Sequence, residues 1–190
     1  MRLQGRIAIV TGGAGGIGEG IAKAYAAEGA TVLACDINED GAAETAEAIK
    51  KDGGKASSCH IDITDADAAQ SVIAKYASEH GRLDIIANVA GTGQRHSFLE
   101  AKIEEFDRVM KVNLMGTFIC SQAAAREMVK QGYGRIVNIA SIAGTRAGSG
   151  RTAYGTSKSA VIGLTRQAAL ELAPHGITVN AVAPALSTPR

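Results

Sequence analysis

The sequence predicts an α/β fold: a doubly wound parallel sheet of about six strands, with helices on both faces. Three observations carry that prediction. Short apolar runs alternate with longer helical patterns along the 190 residues. A glycine-rich turn, TGGAGGIG at 11–18, joins the first apolar run to the first helix. No linker, repeat or low-complexity tract breaks the alternation, so residues 1–190 read as a single domain.

The elements follow in order. RIAIV (6–10) reads as a strand, then the glycine turn, then a helix to about Glu28. TVLACD (31–36) is the second strand, followed by a charged helix over 39–51. KASSCHID (55–62) is a weaker strand before a helix over 65–79. LDIIAN (83–88) is the fourth strand, and a long helical stretch covers 103–130. GRIVNIAS (134–141) is the fifth strand, 152–173 a helix and ITVNAVA (177–183) the sixth strand. The 103–130 stretch carries Phe106, Val109, Met110, Val112, Leu114, Met115, Phe118 and Ile119, too many to face one sheet. A helix apolar on all sides is buried on all sides, so a partner subunit is expected there.

Composition narrows the function. Lys+Arg total 20 and Asp+Glu 19, a net charge of +1, which points away from nucleic acid. No apolar run approaches the roughly 18 residues of a membrane span. Three cysteines, Cys35, Cys59 and Cys120, form no CxxC and suggest neither a disulfide framework nor a zinc site. They read as small buried hydrophobes of a reduced, cytoplasmic protein. No metal is expected; His96 has no partner ligand at a useful spacing.

The glycine turn is a phosphate site. A helix N-terminus offers free N–H groups and the positive end of a dipole to a pyrophosphate, and side chains would block the approach. Its glycines fit GxGxxG from Gly13, TGxxGxxG through Gly12, Gly15 and Gly18, and TGxxxGxG through Gly12, Gly16 and Gly18. Asp36 closes the second strand. A carboxylate there accepts hydrogen bonds from the adenine-ribose hydroxyls of NAD and repels the extra phosphate of NADP. No Arg follows in DINED, so NAD is the expected cofactor. Asp62, at the end of the third strand, is placed to meet the adenine edge.

YGTSK supplies the chemistry. Tyr154 and Lys158 are four apart near a helix start, so both lie on one face. An ammonium beside a phenol favours the phenolate and suits it to acid/base catalysis. Ser141 ends the fifth strand, where a parallel sheet presents its ligand crevice, and could hydrogen-bond the substrate oxygen.

These residues resemble the short-chain dehydrogenase/reductase family, a Rossmann fold, along the whole chain. TGGAGGIG, ANVAG, IVNIASIAG, YGTSK and ITVNAVAP fall in the family's order. The resemblance implies an Asn–Ser–Tyr–Lys tetrad on Asn113, Ser141, Tyr154 and Lys158. Tyr154 would exchange the proton with the alcohol or carbonyl oxygen, Ser141 would polarise that oxygen, and Lys158 would hold the nicotinamide ribose. Asn113 would interrupt its helix and hold a relay water. It also implies Gly12, Gly16 and Gly18 as the working register, with Gly13 and Gly15 incidental to it. Cofactor contacts extend to Gly15, Ile17, Ile63, Asn88, Ala90, Gly91, Pro184 and Thr188.

The expected reaction is hydride transfer between NAD and a secondary alcohol or ketone, of polyol, sugar-acid or 3-oxoacyl type. An NAD-binding protein without turnover is the alternative, and a nucleotide-sugar epimerase a third reading. Arg95, His96, Arg146 and Arg151 lie in loops expected to line the substrate side. Two departures from the family stand out: Val89 within Asn-Val-Ala-Gly, and Ala185 where a glycine usually passes the nicotinamide. Relatives usually continue through a lid and a seventh strand, so both are expected to be lacking after Arg190, leaving ITVNAVA at a sheet edge. A homodimer or higher homo-oligomer through helices 103–130 and 152–173 is expected.

Overall fold

The glycine turn fits between β1 (Ile7–Thr11), buried along its whole length, and α1 (Gly16–Ala27). The structure, a computed structural model, describes residues 1–185. The chain continues through β2 (Thr31–Asp36), α2 (Glu39–Lys51), β3 (Lys55–His60), α3 (Ala66–His80) and β4 (Ile85–Asn88). Then follow α4 (Ile103–Met110), α5 (Thr117–Gln131), β5 (Gly134–Ile139), α6 (Thr152–Leu172) and β6 (Ile177–Val182). Helix starts follow local chemistry: Asn38 caps α2 by accepting from the Gly41 N–H at 3.2 Å, and Asp65 caps α3 by accepting from Ala68 at 3.1 Å. Gly81 and Gly132 close α3 and α5 in the left-handed region.

The six strands form one parallel sheet in the order β3-β2-β1-β4-β5-β6. Alternation along each strand divides the core in two. Ile9, Ile86 and Ile136 face Ile73 of α3 and Met128 of α5. Val10, Val32 and Ile85 face the small residues Ala22 and Ala26 of α1. At the opposite end from the glycine turn, buried Asp84 joins the starts of β1 and β4. It accepts from the Ile7 N–H at 2.9 Å, from Arg6 at 2.9 Å and from Arg82 at 2.5 Å and 2.8 Å.

The stretch 103–130 is not one regular helix. A π-helical segment, Lys111–Gly116, separates α4 from α5. The Thr117 hydroxyl donates to the Asn113 carbonyl at 2.8 Å, and the Asn113 side chain reaches sideways to the loop after β4. Such bulges collect at functional sites. Nor is the stretch buried on all sides within one chain. Val109, Cys120, Ala124 and Met128 are buried, whereas Met115, Phe118 and Val129 are exposed. Among the described residues β6 is an edge strand; Ile177 and Val179 are buried while Thr178, Asn180 and Val182 are exposed. No helix among them is long and apolar enough to cross a membrane.

Candidate active site

Strand order reverses between β1 and β4, and a crevice opens at their C-terminal ends. Thr11 pins it: its hydroxyl accepts the N–H groups of Val89 at 3.1 Å and Ala90 at 3.4 Å. Gly12 has φ +72°, and a Cβ there would lie 2.6 Å from the Ala90 nitrogen. A Cβ on Gly18 would collide with the Gly12 carbonyl, so no larger residue lets α1 sit this close to β1. Gly15 precedes α1 without a side-chain cap, which leaves the first-turn N–H groups of Gly16, Ile17 and Gly18 free. Gly13 has a role of its own. Its N–H donates to the Cys35 carbonyl at 3.0 Å, and a Cβ would meet that of Ala34 at 3.0 Å.

A cleft of about 690 Å³ starts at this turn. At the β2–β3 end it is walled by Asp36, Ile37 and Asp62, in the middle by Ala90 and Gly91, and at the α6 end by Tyr154 and Lys158. Asp36 accepts from the Ala14 N–H with one carboxylate oxygen and from the Asn38 N–H with the other, both at 3.0 Å. Each oxygen keeps a second lone pair for a ligand. Asp62 uses one oxygen for both the N–H and the hydroxyl of Thr64, at 2.8 Å each. Those two bonds hold its carboxyl below the usual range.

At the far end, Lys158 is buried on α6 and donates to the Ile139 carbonyl at 2.6 Å. Its Nζ lies 5.8 Å from the centre of the Tyr154 ring. Burial lowers its pKa to about 8. The ammonium has three donors and the protein engages one, so two remain for the cleft. Ser141 stands two residues beyond β5; its hydroxyl accepts from the Ala143 N–H at 3.1 Å and its own proton stays free to donate.

This arrangement has close counterparts. The family model described as short chain dehydrogenase matches residues 6–189. The chain belongs to the short-chain dehydrogenase family. It is 42% identical to the short-chain reductase protein NovJ of Streptomyces niveus, over 95% of this chain and 69% of that one. It is 39% identical to the 3-oxoacyl-[acyl-carrier-protein] reductase FabG of Thermotoga maritima (97% and 75% covered) and 39% identical to the D-threitol dehydrogenase of Mycolicibacterium smegmatis (96% and 70%). Among solved structures, an NAD+-bound xylitol dehydrogenase superposes with a TM-score of 0.95 at 36% identity, over 97% of this chain and 71% of that one.

In this short-chain dehydrogenase the cleft brings together Gly12, Gly15, Ile17, Gly18, Asp36, Asp62, Ile63, Ala90, Gly91, Tyr154 and Lys158. Gly16, at φ +55°, shapes the turn without lining the cleft. Asn88 departs from the expectation. Its side chain points beneath the sheet and donates to Ser121 at 2.9 Å and Asn138 at 2.8 Å. The cause is strand alternation: Asn88 shares a face with Ile86, which packs into the core. Asn113 is fully buried in the π-helical segment. Its side chain clasps the Thr92 backbone through both N–H and C=O, at 2.8 Å and 2.9 Å, and donates to Ser157 at 2.9 Å. Pro184 lies off the cleft, where its carbonyl accepts the Ile142 N–H at 3.1 Å. Thr188 lies outside the described residues.

Sequence reasoning missed other lining residues, among them Ile37, Ile61, Val112 and Ile139. Ile37 carried a signal, since an exposed isoleucine directly after a strand-end carboxylate suits an apolar ligand face. Val112 carried none; it lines the cleft from within the π-helical segment.

Proposed function

We propose that this short-chain dehydrogenase is an NAD-dependent oxidoreductase that interconverts a secondary alcohol and its ketone, with Tyr154 as general acid/base. The single observation behind this is one continuous cleft with the glycine turn and Asp36 at one end and Tyr154 with Lys158 at the other. The residues fit the cofactor. The free N–H groups of Gly16 to Gly18 suit a pyrophosphate, and the open side of Gly15, with no atom within 4 Å of an added Cβ, leaves room for it. Asp36 is oriented by Ala14 and Asn38 to accept ribose hydroxyls and to repel a 2′-phosphate. The two unengaged donors of Lys158 suit the other ribose. A nicotinamide bound there supplies the hydride acceptor or donor.

The chain's own residues handle the proton. Tyr154 takes it from the alcohol oxygen or returns it to the carbonyl oxygen. Ser141 donates to that same oxygen and polarises it. Lys158 places a positive charge beside the phenol. Asn113 acts as a positioning residue, tying cleft-lining Thr92 to Ser157 of α6, one residue before Lys158.

A second cavity, about 290 Å³, opens beside Tyr154 and is lined by Gln94, Arg95 and Arg151. No carboxylate lines it among the described residues. This favours a substrate with a polar or anionic arm, such as a sugar acid or a 3-oxo acid, over a plain alkyl ketone. The exposed stripe of Met115, Phe118 and Val129 on the 103–130 stretch, with Leu170 on α6, supports pairing with a second copy of the chain.

Titration with NADH and NADPH, followed by nicotinamide fluorescence, tests the cofactor reading. Saturable NADH binding with much weaker NADPH binding is expected; equal affinities would remove the role given to Asp36. Tyr154→Phe should keep NADH affinity and lose turnover on every accepted ketone, and turnover in that variant would refute the assigned base.

A further inference from the structure

We propose that Cys35 and Cys59 are a redox-modifiable pair, and that a disulfide between them loosens the adenosine end of the cofactor cleft. The cysteines are 24 residues apart in sequence but stand directly opposite each other on β2 and β3. Their sulfurs hydrogen-bond at 3.3 Å. Paired residues on neighbouring strands have Cα atoms roughly 4.8 Å apart, inside the range that a disulfide spans. A bond would still draw the sulfurs together by about 1 Å, to roughly 2.05 Å.

The two sulfurs differ in the way such a pair needs. Cys35 is fully buried, and its hydrogen bond to Cys59, with burial, pushes its thiol well up. Cys59 is half-buried on the edge strand, and the same hydrogen bond holds its thiol below the ordinary value. Cys59 is therefore the sulfur that a small hydroperoxide meets, and the one with thiolate character. Its thiolate attacks one peroxide oxygen; the O–O bond breaks, giving a sulfenic acid and releasing hydroxide or alkoxide. Cys35 then attacks the sulfenyl sulfur, the S–O bond breaks, and the leaving hydroxide takes the Cys35 proton as water. In all, two thiols and one hydroperoxide give a disulfide, an alcohol (or water) and water. Cys120, pushed up to about 12 by burial, is expected to stay inert.

The pair is wired to the cleft through two backbone hydrogen bonds and the Asp36 side chain. The Cys35 carbonyl accepts the N–H of Gly13, in the glycine turn, at 3.0 Å. Asp36 follows Cys35 directly and holds Ala14 of the same turn. The Asp36 carbonyl accepts the N–H of Ile61, two residues past Cys59, at 2.9 Å, and Asp62 follows. Contraction across Cys35–Cys59 therefore moves both walls of the adenosine end and tugs the turn. Half-buried Cys59 gives a reductant a route back to the two thiols.

The test uses the full chain. It is treated with hydrogen peroxide, mapped by mass spectrometry without reduction, and titrated with NADH before oxidation, after oxidation and after dithiothreitol. The expected result is a Cys35–Cys59 linked peptide with Cys120 free. NADH affinity should fall about tenfold, the equivalent of about 1.4 kcal/mol, and recover on reduction. Cys59→Ser should keep the unoxidised affinity and lose both link and effect. Absence of the linked peptide would overturn the proposal, as would a linked protein with unchanged affinity. Reduced protein that binds no NADH would overturn the cofactor reading and the coupling with it, and the peptide map would then decide the disulfide alone.

Discussion

Lys158 Nζ donates to the Ile139 carbonyl at 2.6 Å, tying α6 to the last residue of β5. One buried ammonium thus closes a gap in the structure and arms the cleft. Burial lowers its pKa from 10.5 to about 8, worth roughly 3 kcal/mol at about 1.4 kcal/mol per pH unit. The sign is destabilising at neutral pH. Below pH 8 the folded state carries a charge that water would hold better. Between pH 8 and 10.5 the unfolded chain binds more protons than the folded one, so this contribution to stability rises with pH. Lys158→Met should abolish turnover without lowering stability at pH 7, and its advantage over the wild type should shrink between pH 8 and 10.5. Urea unfolding at pH 7 and pH 10 measures the difference. A variant that is less stable at pH 7 would mean that the lost bond to Ile139 outweighs the buried charge.

Asp36 does two jobs with one carboxylate. It faces the cleft, and it braces the glycine turn through Ala14. Asp36→Ala should relieve repulsion of a 2′-phosphate and also slacken the turn. NADH should bind roughly tenfold more weakly and NADPH more tightly, since a charge-assisted bond to a backbone N–H is worth about 1.5–3 kcal/mol. The ratio of the two dissociation constants is the readout. An unchanged ratio would show that selectivity lies elsewhere.

Two glycines of one turn should fail in different ways. Gly12→Ala forces a side chain into the left-handed region and against the Ala90 nitrogen. It should cost about 2–3 kcal/mol of stability. Gly15 is in extended backbone with open space where its Cβ would be. Gly15→Ala should melt like the wild type and lose NADH affinity. Thermal unfolding beside NADH titration separates the two effects. A large drop in melting temperature for Gly15→Ala would contradict the open space.

The legible part of this molecule was what repeats locally. The alternation of apolar runs with helical patterns fixed strand count and direction, and Tyr154 and Lys158 share a helix face by spacing alone. What stayed hidden depended on register or on side-chain direction across the sheet. Asn88 sits beside the cleft in sequence but under the sheet in space, and the inward-facing Ile86 two residues earlier was the available clue. Cys35 and Cys59 read as unrelated hydrophobes because nothing local reveals which residue of β3 lies opposite β2. The break at Lys111–Gly116 was expected from resemblance alone, since no Pro or Gly marks its start.

Asp84 anchors the end of the sheet away from the cleft. Burial pushes its carboxyl up, but hydrogen bonds from Arg82, the Ile7 N–H and Arg6 outweigh that and hold it below the ordinary value. Its stabilisation is therefore present above the ordinary carboxylate pKa of 3.8 and lost as pH falls below it. Both arginines reach solvent, so removing their partner should cost about 2 kcal/mol, below the usual range for a buried pair. Asp84→Asn should lower the urea midpoint at pH 7, and the wild type should approach the variant near pH 3. An equal gap at both values would assign the loss to packing instead.

The last expectation concerns the apolar stripe. Phe118 and Val129 are eleven apart on α5, about three helical turns, so they share one face, and Phe118 is 40% exposed. Leu170 on α6 is 74% exposed. Leucine and phenylalanine left this open on neighbouring helices gain about 25 cal/mol per Å² when covered. A second copy offers the matching surface by two-fold symmetry. Phe118→Glu should shift sedimentation at micromolar concentration from dimer or larger to monomer while leaving the circular dichroism spectrum unchanged. A wild-type chain that sediments as a monomer would leave this face without the proposed partner.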